Sequence, residues 1–184
     1  FFAKAETLEK LGETEEAKVW RRFGQNEGAI YHNANEALIA YENKNAHLHT
    51  RVAVRASSLK KATFTPEQNG KLLVTTIGKL IFNEIFPSDF PYLNEANATD
   101  FVKTPDKYFV SMGTDVKAYI KTLPVSKDFK KSNLGLTIAE VFKRYRNERT
   151  SQILDKIKDL GFKYSTIAGI TVSLPSSLTK SKKG

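Results

Sequence analysis

Leu72-Leu-Val-Thr-Thr-Ile-Gly-Lys-Leu-Ile-Phe-Asn-Glu-Ile-Phe-Pro-Ser-Asp-Phe-Pro-Tyr-Leu-Asn-Glu95 is the stretch on which the fold turns. Its apolar, β-branched opening predicts a strand over 71–77. The Thr76 hydroxyl can accept a backbone N–H from a first helical turn, and Leu80, Ile81 and Ile85 recur at helical spacing, so a helix is expected from about Ile77 to Phe86. Pro87 stops it, having no N–H to donate and a ring that clashes with helical backbone.

Working upstream, Leu48 to Ser57 alternates: Leu48, Thr50, Val52 and Val54 oppose His49, Arg51, Ala53 and Arg55. That is the period of a half-buried strand, 48–57, and its natural partner is 71–77. Asn33 and Glu36 form a capping-box pair ahead of a helix at 34–43, with Ala37, Leu38, Ala40 and Tyr41 on one face. Residues 1–25 read as a helical hairpin broken at Gly12. Downstream, 87–132 is rich in Pro, Asp and Asn, with weak helices at 105–112 and 114–122. Two stronger helices follow. Leu134 to Arg146 turns Ile138, Val141, Phe142 and Tyr145 inward, and Thr150 to Leu160 turns in Ile153, Leu154 and Ile157. Gly161 is placed to end the second in a left-handed conformation. A strand at 169–174 and a flexible Ser/Lys tail at 175–184 close the chain. The fold class expected is α+β, mostly helical with a small antiparallel sheet (strands near 48–57, 71–77 and 169–174).

With 184 residues and 40% hydrophobic content, the chain can bury one core, or one core with an appendage. No apolar run approaches the roughly 20 residues that cross a bilayer. Cysteine is absent, which excludes disulfides and thiolate metal sites and is compatible with a reducing cytoplasm. Net charge is +9, unevenly spread: residues 1–50 hold six Lys/Arg and eight Asp/Glu, the rest 23 against 12. Such an excess favours a polyanionic neighbour and equally suits docking on an acidic subunit.

Catalytic constellations are missing. There is no Gly-x-Ser-x-Gly string, and neither a Walker pattern nor Gly-x-Gly-x-x-Gly appears among the ten scattered glycines. His47 and His49 would point the same way on a strand, but a complete zinc site would need distant carboxylates, so sheet packing is the simpler role. Asp155 and Asp159 read as a solvated helix face. Lys143, Arg144, Arg146 and Arg149 surround the turn between the last two helices; they are candidates for an anionic partner, or solvated cations at a helix C-terminus.

Three blocks in order resemble the bacterial RNA polymerase β′ subunit, in the pore region that follows its catalytic aspartates. They are Leu72 to Glu95; Ala37 to Arg55, with its Leu48-His-Thr-Arg51 strand; and Leu154 to Val172, with Asp155-Lys-Ile-Lys-Asp-Leu-Gly-Phe-Lys-Tyr-Ser-Thr-Ile-Ala-Gly-Ile170. The resemblance implies a domain at 26–174 with an inserted lobe at 87–132, and makes the 1–25 hairpin an insertion. It implies a non-catalytic structural segment of DNA-directed RNA polymerase, lining the secondary channel by which nucleoside triphosphates arrive. The family's Asn-Ala-Asp-Phe-Asp-Gly-Asp magnesium motif does not occur here. The nearest string, Asn97-Ala-Thr-Asp-Phe101, has one carboxylate where three are needed. No cofactor or metal is therefore expected in this piece, and the parent's magnesium is held by residues outside this chain. Arg51, Arg55, Thr75, Thr76 and Lys79 are the channel-surface candidates, being in or beside the family-like strands. The implied partners are the β, α and ω subunits and the rest of β′, with DNA, RNA and nucleoside triphosphates in the intact cytoplasmic enzyme. The rival reading is a free-standing basic nucleic-acid-binding or subunit-interaction module.

Overall fold

The computed structural model describes residues 1–95, 103–123 and 131–165, the side chains of the last stretch being described for 134–160. The Asn97 to Phe101 string, the 169–174 strand and the 175–184 tail lie outside the described residues. Those that are described fall into two compact units. One holds Phe1–Lys60, Phe64–Leu80 and the stretch from Pro105 through residue 123; the other holds Lys61–Thr63, Ile81 to Thr104 and the long C-terminal helix.

The first unit starts with the hairpin of α1 (Phe2–Lys10) and α2 (Thr14–Gln25). Gly12 sits between them at φ +82, a backbone angle that a side chain would oppose. Then come β1 (Ala29–Tyr31), α3 (Ala34–Glu42) and β2 (Arg51–Arg55). The Asn33 side chain caps α3 by accepting the Glu36 N–H at 2.9 Å, while the Glu36 carboxylate reaches back one residue further than a capping box requires, to the His32 N–H at 2.8 Å. After α4 (Pro66–Asn69), β3 (Leu72–Thr76) pairs antiparallel with β2, placing Arg51 opposite Thr76 and Arg55 opposite Leu72. α5 (Ile77–Asn83) follows without a break, and Thr76 Oγ1 caps it by accepting the Lys79 N–H at 3.2 Å.

The sheet differs from the expected one in three respects. It is four-stranded in the order β1-β2-β3-β4 and mixed, because β1 runs parallel to β2. Both flanking strands were unforeseen, being three and two residues long, too short to display an alternation. The 48–57 strand is trimmed to Arg51–Arg55, and Val52, Ala53 and Val54 are all buried, so both faces of β2 are covered. Residues 105–112 form no α-helix. They make a short 3-10 turn (Asp106–Tyr108) and then β4 (Phe109–Val110), which pairs with β3. α6 (Val116–Ile120) lays Val116 and Ile120 on Ala53, Leu72, Val74 and Val110. Gly28, at φ +86, comes so near the Lys117 backbone that an added Cβ would lie 3.1 Å from its Cα.

In the second unit α7 (Lys131–Ser165) carries both predicted C-terminal helices, joined across a break at Arg146, whose φ of 59 and ψ of −165 are not helical. The helix runs on through Gly161, which therefore does not terminate it. The core gathers Phe82, Ile85, Phe86, Phe90 and Leu93 with Leu134, Val141, Ile153 and Ile157. Phe142, expected inside, is 57% exposed. α5 ends at Asn83 rather than Phe86, since the next three N–H groups bond to carbonyls three residues back before Pro87 removes a donor. The freed Asn83 side chain then pins the extended segment: Nδ2 donates to Leu93 O at 2.9 Å and Oδ1 accepts the Leu93 N–H at 2.7 Å. Residues 87–132, read as one lobe, thus contribute to both units. No described helix is long and apolar enough to cross a membrane.

Candidate functional site

The nine candidate residues divide between the two units, and each group is bound by its own surroundings. In the first unit, β2–β3 register sets Arg51 beside Thr76. Arg51 Nε donates to Glu27 Oε1 at 2.9 Å and Nη1 to Ile120 O at 3.1 Å, so the half-buried guanidinium ties β2 to the turn before β1 and to the end of α6. Glu27 Oε2 is buried with no partner among the described residues, so Arg51 is that carboxylate's sole ionic contact there. Thr75 and Thr76 are 3% and 6% exposed, and Lys79 is half-buried. Arg55 alone of the five is exposed. It shares a face of β2 with Arg51, about 13 Å along the strand.

In the second unit, Arg144 Nε donates to Glu140 Oε1 at 2.8 Å, and its guanidinium lies 5.2 Å from the Phe90 ring centre. Arg149 lies 4.8 Å over the Tyr145 ring. Cations above aromatic faces gain from the ring quadrupole while remaining wet on the other side. Tyr145 OH donates to Asp89 Oδ1 at 2.8 Å; burial first, and that bond second, push the phenol well above its usual range. Lys143 and Arg146 are exposed.

Sequence reasoning missed Lys61. It is 7% exposed, donates Nζ to Pro87 O at 3.2 Å, and is pushed by burial down to about 8, with Asp89 pulling the other way. A lone lysine in a Leu-Lys-Lys-Ala string carries no sign of burial; the neighbouring Lys60 is exposed at φ 52. Neither His47 nor His49 lies on a strand. Their rings stack at 5.1 Å and His47 Nδ1 accepts the His49 N–H at 3.2 Å, while His47 also packs against Phe1, Trp20 and Phe23. Among the described residues no three His, Asp or Glu side chains converge as a metal site would require. The arrangement thus offers braced cations around two cores.

Residues 14–175 match the family model described as RNA polymerase Rpb1, domain 3. The chain belongs to that family. This Rpb1 domain 3 chain is 56% identical over 149 residues to the DNA-directed RNA polymerase subunit beta' of Bacillus subtilis (strain 168), covering 80% of this chain and 12% of the relative. The subunit beta' of Exiguobacterium sibiricum is 58% identical, again over 80% of this chain and 12% of the relative. That of Oceanobacillus iheyensis is 55% identical over 85% of this chain and 13% of its own length. The domain 3 chain thus spans about one-eighth of the length of the curated relatives it matches.

Proposed function

We propose that the chain works as a non-catalytic structural segment of a bacterial DNA-directed RNA polymerase β′ subunit, lining the secondary channel beside the active centre. The observation that carries this is the likeness to β′ subunits across four-fifths of the chain, in a sequence with no cluster of three aspartates to hold magnesium. A wall of this kind makes and breaks no bonds. It raises the local concentration of nucleoside triphosphate through its positive field and braces the catalytic loop supplied by other residues. Its partners are the remainder of β′, the β, α and ω subunits, and, in the working cytoplasmic enzyme, DNA, RNA and triphosphates. Arg55 is the sheet candidate best exposed to meet an anion, and half-buried Lys79, which follows the Thr76 end of β3, belongs to the same proposed surface. Arg51, Thr75 and Thr76 hold the strands that present them. Lys143, Arg144, Arg146 and Arg149 form a second proposed surface in the helical unit.

The test uses polymerase reconstituted with whole β′ carrying Arg55→Glu. Its KM for nucleoside triphosphate is expected to rise about tenfold at low salt with kcat retained, and the effect is expected to shrink at high salt. An unchanged KM at low salt overturns the channel placement. Nucleotidyl transfer by the isolated chain overturns the non-catalytic assignment.

A further inference from the structure

The first half of α7 is apolar on two sides. Its inner side places Leu134 and Val141 in the helical core. On the outer side Leu136 and Phe142 are 49% and 57% exposed, and Gly135 and Ala139 are exposed as well. At about 100° per residue, Gly135, Ala139 and Phe142 fall along one line with Leu136 beside it. A Cβ added to Gly135 would meet nothing within 4 Å. Single exposed apolar residues are ordinary, but apolar residues grouped on one exposed side of a helix whose other side is buried mark a surface that a partner covers. The small residues at i and i+4 leave a groove that a neighbouring helix can enter closely.

Charge narrows the occupant. Beside the line, before the break, stands Lys143, and Arg146 follows at the break itself, both exposed, while Arg144 is already paired to Glu140. A second copy would bring the same cations to the same face. The segments of this chain outside the described residues, 96–102, 124–130 and 166–184, hold Asp100 and Asp128 as their only acids, against five lysines. The last two are basic as well, and 96–102, which carries Asp100 and no lysine, is too short for a stable amphipathic helix.

We propose that the Gly135, Leu136, Ala139 and Phe142 face of α7 docks an amphipathic helix from another polypeptide segment, one with an apolar seam flanked by Asp or Glu. This reading stands on the face itself and does not depend on the channel placement.

The probe is a fluorescein-labelled synthetic peptide of about 20 residues with a Leu/Ala seam and Glu flanks, titrated into the full chain by anisotropy, beside a twin with Lys flanks. The Glu peptide is expected to bind in a salt-sensitive manner and the Lys peptide at least tenfold more weakly. Phe142→Ser, at an exposed position whose folding circular dichroism can verify, is expected to lower affinity at least tenfold. The Lys143→Glu, Arg146→Glu pair is expected to reverse the peptide preference, while Met112→Ser in the other unit leaves it unchanged. Equal binding of the two peptides, or of wild type and Phe142→Ser, overturns the proposal. So does a dimer in sedimentation that Phe142→Ser abolishes, since the occupant would then be a second copy.

Discussion

Both units tie an arginine to a carboxylate, but only the helix unit also lays its arginines over aromatic rings among the contacts described. Arg51 is held through its N–H groups, by a carboxylate and a backbone carbonyl that close strand and helix around it. Arg149 lies with its guanidinium over the Tyr145 ring, and Arg144 combines both modes, its guanidinium over Phe90 and its Nε donating to Glu140. Directed bonds make an arginine a strut; ring stacking leaves it able to meet something else. The basic excess of the sequence therefore overstates the charge that each surface offers.

The sharpest way to break this contrast is to remove the ring platform. Phe90, fully buried and stacked at 4.8 Å on Phe86, should cost about 3–5 kcal/mol on Phe90→Ala by urea unfolding. A loss under about 1 kcal/mol would mean that the helical core does not depend on the stack. Next in size, Arg51→Ala should cost about 2 kcal/mol, because it leaves the Glu27 carboxylate half-buried and unpaired, whereas exposed Arg55→Ala should stay within about 0.5 kcal/mol. Equal effects would erase the distinction between strut and surface.

Lys61 extends the comparison to pH. Its folded value of about 8 lies below the ordinary 10.5, so the folded chain binds fewer protons in that interval. Stability should then rise from pH 8 to 10.5, with the cost of burying the charge fully present below 8. Lys61→Met should flatten that rise, on the order of 1–2 kcal/mol, in urea midpoints taken at the two ends. A wild-type and variant difference that does not change with pH would place the ammonium in water. Smallest of all, Arg146→Gly should stabilise the chain by about 1 kcal/mol, since φ 59 with ψ −165 is a region that glycine alone occupies freely. Destabilisation would show that the side chain anchors the break.

The elements that sequence located well are those written in local chemistry. Thr76 capping α5, Asn33 capping α3 and the interruption at Gly12 each depend on residues within a few positions of one another, and β2 and β3, though distant in the chain, each carry a local apolar pattern that marks them as strands. Those that escaped are short or polar. β1 and β4 have too few residues to show a period, and the Pro-rich run after α5 owes its order to Asn83, ten positions before Leu93. Of the candidate residues, the chain order showed charge and strand membership. It did not show that Thr75 and Thr76 are buried, nor that Phe142 faces out.

By itself, the sequence determined the family, the α+β class and the places where α3 and α5 begin, because caps, prolines and β-branched runs act over distances shorter than a helical turn. Only the tertiary structure decided which cations are struts and which are surface. That depends on Glu27 meeting Arg51, Pro87 meeting Lys61 and Phe90 meeting Arg144, contacts between residues 24 to 54 positions apart whose geometry no local pattern encodes.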